Sequence, residues 1–245
     1  MAKERVDRLL VDRGLAESRA KAHAYVMAGL VYWGERKLES AGAAIPADAE
    51  LTVRGQGHGY VSRGGVKLAG ALDAFAVAPI GLRCLDLGAS TGGFTDCLLK
   101  RGAAHVVAVD VGYGQLAQSL RVDARVTNLE RTNGRALTPE AIGGSADLSV
   151  VDASFIGLGK LAGALAACTR SGGTLVALVK PQFEAGRAVV SEGRGVVRDE
   201  GERRRCIDEA ARAVEAAGFE LLGHADCVLA GPKGNREAFL HARRS

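Results

Sequence analysis

The sequence predicts an α/β protein: a doubly wound domain on a mostly parallel seven-stranded sheet, preceded by a small α+β unit. Three observations carry this. From Val61 onward, short apolar runs alternate with amphipathic stretches, the pattern of a parallel sheet covered by helices on both sides. Runs such as Val106-Val107-Ala108-Val109 and Leu175-Val176-Ala177-Leu178-Val179 are apolar throughout, as strands buried on both faces are. Between Cys84 and Asp96 an apolar run ends around an acid, turns through small residues and enters a helix near Gly92, a strand–loop–helix opening whose ligand sits at the strand's carboxyl end. At 245 residues, 47% hydrophobic and 24% charged, the chain has room for one full domain and a small one.

The small unit spans residues 1–54. Val6, Leu9 and Leu10 fall at i, i+3, i+4, and Gly14 stops that helix. Ser18 caps a second helix running to about Ala28 and closed by Gly29. Leu30-Val31-Tyr32-Trp33 and Glu50-Leu51-Thr52-Val53 read as short strands around a Gly- and Pro-bearing turn. Residues 55–60, glycine-rich like Arg54 to Tyr60 as a whole, form a linker, and His58 is read as one of its polar residues.

In the large domain, 61–245, strands are expected at 82–87, 105–110, 124–129, 147–152, 173–180, 219–229 and 236–242. Helices are expected at 64–75, 92–101, 114–120, 157–169 and 199–217. The short turn Gly231-Pro232-Lys233-Gly234-Asn235 makes the final strand an antiparallel addition.

The loop Asp86-Leu87-Gly88-Ala89-Ser90-Thr91-Gly92-Gly93 carries the first chemical signal. Its glycines let backbone approach a ligand, and a helix N-terminus offers N–H groups to an anionic end. The spacing is not G-x-G-x-x-G, because Ala-Ser-Thr follows Gly88. Such a loop suits S-adenosylmethionine (SAM), which has an amino-acid moiety and no pyrophosphate. Asp86 is expected to hold the loop by accepting backbone N–H bonds. Asp110, ending the second strand, reads as the acceptor for two ribose hydroxyls or as a turn residue. Glu130 reads either as lining the adenine side or as a surface partner of Arg131.

Lys67, Asp152, Lys180 and Glu237 form the second signal. Lys67 lies on the helix before the first strand and the others at or near strand ends. A lone charge is by default half of a structural ion pair, but two lysines and two acids converge here on one sheet edge. Burial and a second cation both favour neutral amine, which can orient or accept the proton of a ribose hydroxyl.

Composition excludes other classes. A net charge of +4 permits an RNA partner without demanding one. The cysteines Cys84, Cys97, Cys168, Cys206 and Cys227 are widely spaced and lack a C-x-x-C pair, reading as reduced core residues of a cytosolic protein with no metal site. The N-terminus is not a signal peptide, and no stretch approaches the ~20 apolar residues of a membrane span.

Arg5-Val6-Asp7, Gly14-Leu15-Ala16, Ser18-Arg19 and Ala28-Gly29-Leu30-Val31 resemble the alpha-L RNA-binding domain of ribosomal proteins, tyrosyl-tRNA synthetases and pseudouridine synthases. That resemblance casts Arg5, Arg8, Arg19 and Lys21 as cations for RNA phosphates, against the plain alternative of a solvated charged face. Arg63 to Leu68, Asp86 to Thr95, Val109 to Leu116, Leu129 to Asn133, Lys180 to Glu184 and Gly234 to Glu237 resemble the TlyA family over essentially the whole chain. Its members are FtsJ-like, SAM-dependent RNA methyltransferases with a Rossmann-like class I methyltransferase domain, some labelled haemolysin A. The resemblance implies 2′-O-methylation of cytidine in ribosomal RNA, free or in a subunit, by a Lys67–Asp152–Lys180–Glu237 tetrad. The linker departs from the Arg/Trp-bearing motif of some members. The chain also ends at Ser245 without the helical extension of longer members, which makes 23S rRNA the expected substrate and 16S rRNA a poor one. Two alternatives stand beside this: an RNA-binding module without turnover, and a membrane-active haemolysin, for which the sequence supplies no membrane segment.

Overall fold

The structure is a computed structural model and describes residues 3–16, 18–53, 59–185, 193, 195–231 and 234–245. Residues 54–58, with His58 and most of the expected linker, lie outside the described residues, as do Pro232 and Lys233 of the last turn. The chain divides into two compact units, Met1–Gly59 and Tyr60–Ser245.

In the first unit, β1 (Lys3–Arg5) leads into α1 (Val6–Asp12) and α2 (Arg19–Met27). The strands β2 (Val31–Trp33), β3 (Arg36–Lys37), β4 (Ala44–Pro46) and β5 (Leu51–Val53) follow. β2 lies between β3 and β5, and β1 pairs with β4, all antiparallel. Val6, Leu9 and Leu10 are buried with Val26, Val31 and Ile45, so the predicted apolar face is the core face. Ser18 caps α2, its Oγ accepting from Lys21 N at 3.2 Å. β1 and β3 went unexpected because they are charged throughout, and β4 because it carries a proline, whereas the equally short β2 and β5 are marked by β-branched and aromatic residues.

In the second unit the order is α3 (Arg63–Ala74), β6 (Arg83–Leu87), α4 (Gly93–Lys100), β7 (His105–Val109), α5 (Gln118–Arg121), β8 (Val126–Leu129) and β9 (Ala146–Val151). Then come α6 (Ala162–Cys168), β10 (Thr169–Val179), α7 (Pro181–Glu184), α8 (Glu200–Ala216), β11 (Phe219–Asp226) and β12 (Ala238–Arg244). The seven strands are ordered β11-β12-β10-β9-β6-β7-β8. β12 runs antiparallel to both its neighbours, as the short turn predicted, while β6 to β10 are parallel.

Alternate residues of each strand enter opposite cores. Leu85, Val107, Leu175 and Leu240 meet Leu165 of α6 and Ile207 of α8 on one face. Cys84, Val106, Val176 and Phe239 meet Leu68 of α3 and Leu98 of α4 on the other. Four of the five free cysteines are buried, consistent with core packing.

Three expectations are corrected. The helix expected at 114–120 is only α5, because the preceding loop makes backbone bonds to Asp110 and Glu130 instead of helical ones. The helix expected at 157–169 is split into a 3-10 turn, Leu158–Lys160, and α6. The Glu184 carboxylate accepts from Leu158 N at 2.7 Å and so caps the start of the 3-10 turn. The last strands run Phe219–Asp226 and Ala238–Arg244, so Glu237 stands just before β12 rather than inside it.

Candidate active site

The glycine-rich loop joins β6 to α4 at the carboxyl edge of the sheet. Gly88 N and Ala89 N both donate to Val109 O, at 2.8 and 3.1 Å. Ser90 and Thr91 are exposed at the loop tip, and Gly92 and Gly93 are buried where α4 begins. Gly88 has φ +87°. A Cβ there would lie 2.7 Å from Asp152 O and 3.1 Å from Ala153 Cα, so the neighbouring strand end demands this glycine before any ligand does. Gly92, at φ +93°, is likewise tight against Leu116 and Leu120.

Asp86 is fully buried. The backbone bond expected of it comes from Thr95, within α4 just after the loop. The Thr95 hydroxyl donates to its Oδ2 at 2.6 Å, and its Oδ1 has no partner among the described residues. The loop is held by Asp110, whose Oδ2 accepts from Ser90 N at 2.8 Å while Oδ1 accepts from Gly112 N at 2.7 Å. Glu130 is an ion-pair residue, but its partner is Arg121 and not the expected Arg131, and it also accepts from Gly114 N at 2.9 Å. Arg131 instead lies over the Tyr113 ring, 4.2 Å from its centre.

These residues fit SAM. An orphaned buried carboxylate oxygen on Asp86 suits the cofactor's cationic amino group, and the exposed loop beside Asp110 suits its ribose. Glu130 stands one loop further along.

Burial pushes the Asp86 carboxyl up to about 7, with the Asp152 and Asp110 charges adding to the rise against the Thr95 hydrogen bond. The ordinary value is 3.8. Between those values the folded state holds a proton that the unfolded chain has lost, so this group makes stability fall as pH rises; outside them its contribution is flat. Asp86→Asn is therefore expected to gain stability relative to the parent chain between about pH 4 and pH 7. Urea midpoints across that range check this, and a difference independent of pH contradicts it.

The four tetrad residues form two ion pairs. Lys67 on α3 pairs with Glu237, and both side chains are buried, at 9% and 1% exposure. Glu237 Oε1 has no hydrogen-bond partner among the described residues. Lys180, directly after β10, pairs with Asp152, directly after β9, at 2.5 Å. Val179 faces Ala238 across the β10–β12 pair, so Lys180 and Glu237 stand at the next register position. The arrangement brings two cations and two acids to one edge of the sheet, beside the glycine loop. Paired acids hold two ammonium groups in place, and an ammonium has three donors with which to meet a hydroxyl oxygen.

In the first unit the expected phosphate-binding cations are already paired. Arg5 Nε and Nη2 donate to the two oxygens of Asp7 at 2.9 Å each, and Arg19 Nη2 reaches Asp7 Oδ2 at 3.0 Å. The Asp7 side chain is 7% exposed, and these arginines hold its carboxyl well below the usual range. Arg8 sits between Glu4 and Asp12, 3.6 Å from each. Lys21 Nζ lies over the Tyr25 ring, 5.6 Å from its centre.

Two residues went unassigned in the sequence. Ser154 accepts a 2.8 Å hydrogen bond from Lys180 Nζ. Phe155 is 90% exposed with φ +65°, its ring 5.1 Å from that of Phe183. A bulky residue with left-handed backbone is uncommon, and no local pattern announced it. Asp152-Ala153-Ser154-Phe155 follows a strand directly, which was the available clue.

Comparison with known proteins agrees with this geometry. The FtsJ-like methyltransferase family matches residues 60–244. The chain is 52% identical to the 16S/23S rRNA (cytidine-2′-O)-methyltransferase TlyA of Mycobacterium tuberculosis, over 98% of this chain and 89% of that protein. It is 31% identical to the 23S rRNA (cytidine-2′-O)-methyltransferase TlyA of Campylobacter jejuni, over 74% of this chain and 70% of that one. A solved structure from Streptococcus thermophilus that carries the hemolysin name matches with a TM-score of 0.77 at 40% identity, covering 100% of this chain and 90% of that one. With the glycine loop and the paired tetrad in place, the chain belongs to the FtsJ-like methyltransferase family, in its TlyA branch.

Proposed function

We propose that this protein transfers a methyl group from SAM to the 2′-hydroxyl of cytidine in ribosomal RNA, with 23S rRNA favoured and 16S rRNA second. The observation that carries the proposal is the Lys180–Asp152 pair beside Lys67–Glu237, at the carboxyl ends of β9 and β10 and the amino end of the antiparallel β12, next to a SAM-type loop. The relative at 52% identity acts on both RNAs and the one at 31% on 23S rRNA, so 23S rRNA is the substrate common to both.

Bound SAM supplies an electrophilic methyl on a sulfonium. Asp86 would receive the cofactor's ammonium and Asp110 its ribose. The loop from Gly88 to Gly93 shapes the pocket between them, and Glu130 braces its far side through Arg121 and Gly114. Lys180 orients the 2′-hydroxyl and takes its proton. Asp152 holds Lys180, and Glu237 holds Lys67 as a second cation near the reacting oxygen. Most of the acceleration comes from in-line positioning. Phe155, exposed beside Lys180, offers a face on which a base of unpaired RNA stacks. The first unit acts as an alpha-L RNA-binding domain. Among the described residues no helix is long and apolar enough to cross a membrane, and no cluster of His, Cys, Asp and Glu has the makings of a metal site. The substrate places the reaction in the cytoplasm.

Incubation with tritiated SAM and separate ribosomal subunits, followed by mapping of 2′-O-methyl positions, tests the proposal. Label in large-subunit RNA supports it. Tight RNA binding without label would favour the module without turnover.

The RNA surface has its own test. Arg5 and Arg19 share buried Asp7, so reversing their charge would unfold the unit they hold. Lys21→Ala and Arg8→Ala avoid this. Each is expected to weaken RNA binding and lower the slope of log affinity against log salt by about one. An unaltered slope in both would put the RNA on another surface.

A further inference from the structure

We infer that Ser154 is a positioning residue for methyl transfer, holding the Lys180 ammonium through its hydroxyl. The inference rests on the role of Lys180 proposed above. Lys180 Nζ is contacted from three sides. Asp152 Oδ1 lies 2.5 Å away as an ion pair, Ser154 Oγ accepts a hydrogen bond at 2.8 Å, and the Phe183 ring centre lies 5.9 Å away. The two contacts differ in kind. A carboxylate attracts an ammonium from a broad range of directions, whereas a hydroxyl oxygen accepts along a lone pair and so sets direction.

Ser154 is itself fixed. The turn that carries it is tied twice to α7, the helix that Lys180 caps. Phe155 packs its ring against Phe183 at 5.1 Å, and Leu158 N donates to Glu184 Oε1 at 2.7 Å. Phe155 also keeps φ at +65°, a conformation a bulky residue retains only where its surroundings impose it. The hydroxyl therefore has a set place relative to the lysine backbone. Asp152 stands beside the nitrogen as an ion pair and Ser154 takes one of its N–H directions, which leaves a further direction of Nζ open to the substrate's 2′-hydroxyl. Ser154 is exposed.

The test is a double-mutant cycle on the full-length protein. It uses Ser154→Ala, Ser154→Thr, Lys180→Ala and the Ser154→Ala/Lys180→Ala pair. Single-turnover methyl transfer is measured alongside SAM affinity by calorimetry and RNA affinity by filter binding. Ser154→Ala is expected to slow the chemical step roughly 10–100-fold with both affinities unchanged. Ser154→Thr, which keeps the hydroxyl, recovers most of that loss. The double variant is no slower than Lys180→Ala alone, because Ser154 acts through the lysine.

A parental rate in Ser154→Ala, with Lys180→Ala inactive, overturns the inference and leaves the role of Lys180 standing. Losses that multiply in the double variant also overturn it, since Ser154 would then act on the RNA itself. An undiminished rate in Lys180→Ala removes the proposed role of the lysine and this inference with it.

Discussion

Lys180→Ala is expected to bind SAM and ribosomal RNA with parental affinity and to lose methyl transfer by roughly 10²–10⁴-fold in single turnover, the range of a positioned proton-transfer group. The side chain is 11% exposed, and its ammonium is held by Asp152 and Ser154. Among the described residues its contacts are with Asp152, Ser154 and Phe183, none of them in the glycine loop, so SAM affinity is not expected to move. Calorimetry with SAM and rapid-quench kinetics with RNA separate the two quantities. Lys180→Arg is expected to recover little, because a planar guanidinium does not fit the place of a compact ammonium and does not give up its proton. Near-parental single-turnover rates in Lys180→Ala would eliminate it as the proton-handling group.

The second large effect is on stability. Lys67→Ala leaves the Glu237 carboxyl without its cation in a site where its side chain is 1% exposed, with no other cation paired to it among the described residues. Removing one partner of a buried ion pair costs about 3–5 kcal/mol. In a domain of this size that lowers the melting temperature by about 10 °C. Replacing both residues by apolar side chains of similar volume, as in Lys67→Met with Glu237→Leu, is expected to return most of that stability. Methyl transfer is expected to stay low, because the second cation is gone. Calorimetric melting and a transfer assay on the same preparations check this. A double variant as unstable as the single one would mean that the site rejects apolar packing. Restored activity in the double variant would make the pair a structural one.

The parts of this molecule legible in its sequence were those with a period or a strand end to mark them. The all-apolar runs gave the parallel strands, and the short turn around Gly234 gave the antiparallel last one. Asp110, Asp152 and Lys180 each follow such a run directly, so their place at the carboxyl edge could be read. Pairing could not. Lys67 and Glu237 are 170 positions apart, and only the folded sheet shows that they bond each other while Lys180 takes Asp152. Asp86 could be read as a backbone acceptor but its partner could not, since an acid inside a strand points into the core, where it meets Thr95 just after the loop. Gly88 was read as room for a ligand, whereas the nearer demand is the backbone at Asp152 and Ala153. Arg5 and Arg19 read as cations for RNA phosphates, or else as part of a solvated charged face, because nothing local reveals that Asp7 is buried between them. Ser154 carries no signal in a single sequence; its role comes from a hydroxyl placed across space under a lysine.

The central claim is that the paired lysines and acids direct a methyl group onto a ribose oxygen. The most direct measurement is to digest ribosomal RNA treated with enzyme and isotopically labelled SAM to nucleosides and identify the labelled species by mass spectrometry. The account predicts 2′-O-methylcytidine as the labelled nucleoside, its yield abolished in Lys180→Ala protein that still binds SAM. Label on a cytosine base, or undiminished 2′-O-methylcytidine from Lys180→Ala, would contradict it.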